Sequence, residues 1–173
     1  MESTLARILE RFESRYYGKY RAQVKEIGSG DQLGLLRVEL PDVYGRGQLS
    51  PWAEPCVALA GDKYGALALP QDEDWVWIDF IAGDRSAPVW TGASWSNASE
   101  LPDEVGPKVR LFRTPAEHRV VIDDDKNEIK VVHKSGAHLT IGDNTITLEA
   151  GGAKVVVDGG GVTFNDGAAK VDK

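Results

Sequence analysis

The residues with ready chemistry are few. His118, His133 and His138 are the only histidines. On a threefold axis one histidine per chain would supply three imidazole ligands, enough for zinc or iron. The competing reading is a strand-end histidine bonded to a neighbouring chain. His133 shares the parity of Ile129 and Val131 and so belongs on their strand face. Asp123-Asp124-Asp125 offers the oxygen ligands that calcium takes, but without the alternating spacing and glycine of a calcium loop, so a solvated β-turn is expected. Asp72, Glu73 and Asp74 read the same way. Gly159-Gly160-Gly161 precedes a strand pattern rather than a helix, which excludes a phosphate cradle. Cys56, between Pro55 and Val57 in an extended stretch, is expected to be a buried, inert thiol. No Ser-His-Asp order or paired-carboxylate context stands out. The expectation is therefore a protein with no catalytic residues, no metal and no cofactor.

The 173 residues carry a net charge of −7, which argues against a protein held on nucleic acid by phosphate contacts. Trp75 and Trp77 share a strand face and could stack bases, but stacking platforms come with basic grooves. Residues 1–116 carry 13 Lys and Arg against 17 acids, so these tryptophans are expected to pack subunits or a partner. One cysteine excludes an intrachain disulfide and a cysteine-based zinc site. MESTLARILERF has no basic region followed by an apolar core, and no run reaches the roughly 18 apolar residues of a membrane helix. A protein made in the cytoplasm without a signal peptide is expected.

The chain changes character along its length. All 8 prolines lie at or before Pro115, and all 5 tryptophans fall between Trp52 and Trp95. Residues 1–17 are expected to form an N-terminal helix, with Leu5, Ile8, Leu9, Phe12 and Tyr16 on one apolar stripe, Ser3 as N-cap and Gly18 as stop. That stripe packs either on its own domain or on a partner. Residues 18–95 read as β: strands at 19–27, 35–40, 52–59, 75–82 and 89–91, separated by turn signals and by the loop PDVYGRGQLSP. In the clearest strand Val76, Ile78 and Phe80 share one face, and Trp75, Trp77 and Asp79 the other. Five short strands in about 75 residues fit a small closed barrel of OB type. Residues 96–116, with SNASELPDEVGPK, read as a polar linker.

From Glu117 the pattern is an apolar pair at i and i+2, a polar or glycine turn, and another pair. The pairs are Val120 and Ile122, Ile129 and Val131, Leu139 and Ile141, Ile146 and Leu148, Val155 and Val157, Val162 and Phe164. A period of two puts each pair on one face, and such a ribbon cannot bury that face alone. Either the chain coils into a solenoid, or several copies wrap around a shared interior; a sandwich edge packed on the barrel is a further alternative. The expectation is an intertwined homotrimer with the pairs as its core. Residues 117–165 would form the needle and 166–173 a small, polar tip segment.

The residues SPWAEPC, then Gly65 to Pro70, then DWVWIDFIAGDRSAPVWTG resemble the OB-fold domain of the baseplate assembly protein V family, the central spikes of contractile phage tails. The tail is similar to the family's β-helix. Ala116-Glu117-His118-Arg119-Val120-Val121-Ile122-Asp123-Asp124 keeps the histidine, the aliphatics and both acids but lacks a preceding Ser-Gly. Ser135-Gly136-Ala137-His138 keeps the Ser-Gly with Ala137 where the histidine usually falls. The family's Pro-x-x-Gly-Asp turn is Pro70-Gln71-Asp72-Glu73-Asp74 here, without its glycine, which leaves that turn's geometry open.

The resemblance implies an all-β chain: N-terminal helix, five-stranded OB barrel, then an intertwined trimeric β-helix needle. Some members carry a lysozyme domain between barrel and needle, but only 22 residues separate Trp95 from His118 here. Some bind iron at the tip through His-x-His, which this chain lacks. The implied role is a non-enzymatic spike in a virion baseplate or extracellular particle, linking a hub to a tip protein and piercing the target envelope. Leu5, Ile8, Leu9 and Phe12 would dock on the hub. Val162 and Phe164 would present an apolar end to a PAAR-type tip protein. The alternative is a non-catalytic OB module for carbohydrate or nucleic acid with a β-rich oligomerisation tail.

Overall fold

The computed structural model describes residues 14–172, and the chain divides into two compact units, the second beginning at Leu101. The expected helix stripe of Leu5, Ile8, Leu9 and Phe12 lies outside the described residues. Residues 14–17 are not helical. Tyr16 instead donates its backbone N–H to Gly83 O at 2.9 Å, and its ring lies 5.9 Å from Phe80 and 6.1 Å from Tyr20. This end of the stripe packs on its own domain.

The first unit is a curled five-stranded sheet in the order β2-β1-β6-β7-β3, an OB-like arrangement. Its strands are β1 (Tyr20–Ile27), β2 (Leu36–Glu39), β3 (Glu54–Pro55), β6 (Trp75–Phe80) and β7 (Pro88–Ser94). A small hairpin, β4 (Ala60–Gly61) and β5 (Tyr64–Gly65), stands between β3 and β6. Alternation decides the core: Ala22, Val24, Leu36, Val38, Val76 and Ile78 point inward and are fully buried. Trp90 joins them because its indole N–H reaches Gly34 O at 3.0 Å, leaving no orphaned donor.

Two elements depart from expectation. Pro41–Tyr44 is a helical turn, α1, rather than plain loop, with Pro at a position where its missing N–H costs nothing. The expected strand at 52–59 shrinks to Glu54–Pro55, because Pro51 and Pro55 cannot donate to a ladder.

The second unit is one antiparallel meander of eight strands, each paired with its sequence neighbours. The strands are β8 (Val109–Arg113), β9 (Arg119–Asp123), β10 (Glu128–Val132), β11 (His138–Gly142), β12 (Thr145–Ala150), β13 (Ala153–Asp158), β14 (Gly161–Phe164) and β15 (Ala169–Asp172). Tight turns join them. Gly151 (φ 58°) and Gly152 (φ 85°) have the successive positive φ values that a two-residue hairpin needs.

Two expectations change here. The 96–116 linker contains β8, which pairs with β9. The tip segment folds back as β15, pairing Val162 with Val171 and Phe164 with Ala169, so the sheet ends in a strand. Within one chain strands β9 to β14 each have a neighbour on both sides, and β8 and β15 are the edges of the sheet.

Candidate functional site

The strand registers line up the apolar pairs across the whole second sheet. One row runs Phe112, Val120, Val131, Leu139, Leu148, Val155 and Phe164; each is the direct cross-strand partner of the next. A second row runs Ile122, Ile129, Ile141, Ile146, Val157, Val162 and Val171. Partners share a face, so both rows are ribs on one side of the meander. Phe112 and Val171 extend the ribs beyond the six expected pairs.

Nothing among the described residues covers this face. Leu148 is 51 % exposed, Val131 47 %, Ile129 43 % and Phe112 57 %. The opposite face is mixed: one row runs Leu111, Val121, Lys130, Thr140, Thr147, Val156, Thr163 and Lys170 in register. Its Glu104 carboxylate sits between Arg113 (3.3 Å) and Arg119 (3.4 Å). One side of the sheet thus mixes charged, hydroxyl and half-buried aliphatic side chains, while the other carries two unbroken apolar ribs, as an assembly surface does.

The histidines fall at strand ends. His118 and His133 extend the parity of Val120 and Val131 on the apolar face, and their rings lie 4.5 Å apart. His133 Nδ1 accepts the Ser135 N–H at 3.2 Å. His138 Nδ1 lies 2.9 Å from Gly136 O, within its own turn. Among the described residues of one chain no three His, Cys, Asp or Glu side chains converge.

The acidic run is a turn, and each acid has a cation: Asp123 with Lys126 at 2.8 Å, Asp124 with Arg110 at 2.5 Å, Asp125 with Lys108 at 2.5 Å. Asp123, buried, also accepts the N–H groups of Asp125 and Lys126. The Lys126 ammonium and these N–H donors hold its carboxyl below the ordinary carboxylate range, and the pairing raises Lys126.

In the first unit Cys56 is exposed, which corrects the expectation of a buried thiol. Trp75 and Trp77 are half-buried, and the Arg21 guanidinium lies 4.8 Å from the Trp75 ring centroid, covering that ring's face. The turn without its glycine keeps a left-handed residue: Glu73 sits at φ 69°. Its N–H donates to Val24 O at 3.0 Å, and its carboxylate takes both Lys25 Nζ contacts at 2.6 and 2.8 Å. That hydrogen bond raises the Lys25 pKa. Tyr44 donates its phenol to Arg85 O at 2.7 Å, and burial pushes its pKa up to about 12.

No helix among the described residues is long and apolar enough to cross a membrane. Two family models match the chain. Residues 20–95 match the type VI secretion system/phage-baseplate injector OB domain. Residues 108–170 match the phage baseplate V C-terminal trimerisation domain. The second match starts beside β8 and ends within β15, spanning both apolar ribs. Both are domains of structural components of injection machinery, and they occur here in sequence, curled sheet first and ribbed meander second. The chain belongs to the phage baseplate V family.

Proposed function

We propose that this chain is the central spike protein of the baseplate of a contractile injection machine: a phage tail, a tailocin or a related particle. The observation that carries the reading is the uncovered two-ribbed face, lying within a trimerisation domain that follows an injector OB domain. Three copies with these faces inward make a dry needle of the β-helix kind. Its core is the two ribs, and its outer faces carry Lys and Thr. The needle is the part driven through the target envelope when the sheath contracts. The hub lies on the N-terminal side, with Leu5, Ile8, Leu9 and Phe12 as its contact. The far end, where Val162 and Phe164 are now followed by Val171 in β15, takes a PAAR-type tip protein. The spike itself does no chemistry.

The test is to tag the chain in the organism that encodes it and image the purified particles by electron microscopy with a gold-labelled antibody. Label on the axis at the baseplate end of the tail is expected. Label on the sheath, or absence of the chain from intact particles, would overturn the assignment.

A further inference from the structure

The ribbed face is asymmetric across its width. A strand of about five residues places three side chains on one face, two marginal and one central. The central row is the rib through Val131, Leu139, Leu148 and Val155. One margin is the branched rib through Ile129, Ile141, Ile146 and Val157. The other margin is small over its middle: Ala137, just before β11, and Ala150 and Ala153 on β12 and β13 follow the same parity, and Ala150 pairs directly with Ala153, while His118 and His133 continue this margin beside β9 and β10. These alanines line a mostly apolar groove of about 650 Å³ together with Leu148, Val155 and Phe164, and His133, Glu149 and Lys154 also line it.

A threefold rotation joins two different patches of one surface, unlike a twofold, which joins a patch to itself. In a closed three-sided arrangement the central row of each sheet faces the axis, and each margin meets the opposite margin of the next copy. Two branched margins in contact would overpack, and two alanine margins would leave a void. A branched margin against an alanine margin does neither. Resting on the trimeric reading above, we propose that the isoleucine rib of each copy seats in the alanine groove of the next. Three identical rib-in-groove seams would then close the ring. The occupant of the groove is a second copy of this chain.

Disulfide trapping tests the seam in a Cys56→Ser background. Ile146→Cys is combined in turn with Ala150→Cys, Ala137→Cys and Ala153→Cys, because strand tilt offsets neighbouring copies by up to one strand. Ile146 and Ala150 are about 13 Å apart along one strand, and the other two pairs are at least as far, well beyond the roughly 7 Å Cα limit of a disulfide. Any bond is therefore between copies. At least one double variant should run as a covalent trimer on a non-reducing gel, while Ile146→Cys and each alanine variant alone stay monomeric there. If every double variant is trimeric by light scattering and none cross-links, the seam is wrong and the trimer stands. A monomeric parent protein would remove the trimer and the seam together. Should the cysteine variants fail to assemble, Ala150→Trp decides. Filling the groove should abolish the trimer and leave the monomer's β circular dichroism intact, while Thr147→Trp on the opposite face stays trimeric. An Ala150→Trp protein with unchanged trimeric mass would overturn the seam.

Discussion

Leu148→Asp is the sharpest perturbation of the assembly face. Leu148 stands in the central row, partnered by Leu139 and Val155, and is 51 % exposed in the isolated sheet. Covering the rest of such a side chain is worth roughly 1 kcal/mol per copy, about half the full burial value of a leucine. Replacing it with aspartate also forces an unpaired carboxylate into an apolar interior, at several kcal/mol per ion after relaxation. Three copies act together, so the trimer should lose on the order of 10 kcal/mol or more. At about 1.4 kcal/mol per tenfold, that is some seven decades in the association constant. Lys154→Asp is a poor control, because Lys154 pairs with Asp166 at 3.3 Å and the change would set two carboxylates together. Thr147→Asp, one residue away on the opposite face, is the proper one. Sedimentation velocity at micromolar concentration should give a folded monomer for Leu148→Asp and a trimer for Thr147→Asp. Two trimers, or two monomers, would refute the assignment of faces.

The left-handed Glu73 allows a comparison in which only backbone strain differs: Glu73→Gly should be more stable than Glu73→Ala by about 1 kcal/mol in urea unfolding, since both lose the Lys25 contact and only glycine is free at φ 69°. Gly28→Ala should be destabilising and lower the thermal midpoint, because a Cβ there would lie 2.0 Å from the Gln32 carbonyl oxygen. Tyr44 has a raised folded-state pKa, so its contribution to stability is complete below about pH 10 and fades as pH climbs toward about 12. An ultraviolet phenolate titration should show one late tyrosine, absent in Tyr44→Phe. Asp123 has a depressed folded-state pKa, so its contribution is present above about pH 4 and is lost as pH falls through the lower folded value. Asp123→Asn should flatten the acid limb of the stability profile, read by denaturant unfolding between about pH 2 and 5.

What the sequence reveals depends on whether a residue's neighbours are local. Period-two alternation marks Val76, Ile78 and Phe80 as inward, because a strand's two faces are fixed by its own backbone. The apolar pairs of the meander are legible for the same reason. β8 and β15 are hidden because each gives the ribbed face only one apolar residue: in β8 the i, i+2 pair Val109 and Leu111 lies on the other face and Phe112 shares its face with the charged Arg110, and Val171 stands between Lys170 and Asp172. Only pairing with an already apolar neighbour makes strands of them. The groove is equally invisible, since Ala137, Ala150 and Ala153 are scattered in sequence and gather only through hairpin register. Glu73 shows the converse. A missing glycine signals a different turn, yet hydrogen bonds to Val24 and Lys25 hold the left-handed geometry without it. Cys56 is exposed because the strand stops at Pro55, one residue before it.

Pairing each strand only with its sequence neighbours lets this architecture change over generations by whole hairpins. Each hairpin of the meander touches only the hairpins before and after it. Inserting or deleting one therefore leaves every other pairing in register, provided the two ribs and the alanine margin are kept. Each added hairpin lengthens the sheet along its stacking direction by two strand spacings, about 9.6 Å. Reach is thus set by a count of repeats rather than by redesign of an interior. A gene for this sheet can change its length by duplication alone, each added hairpin bringing its own members of both ribs.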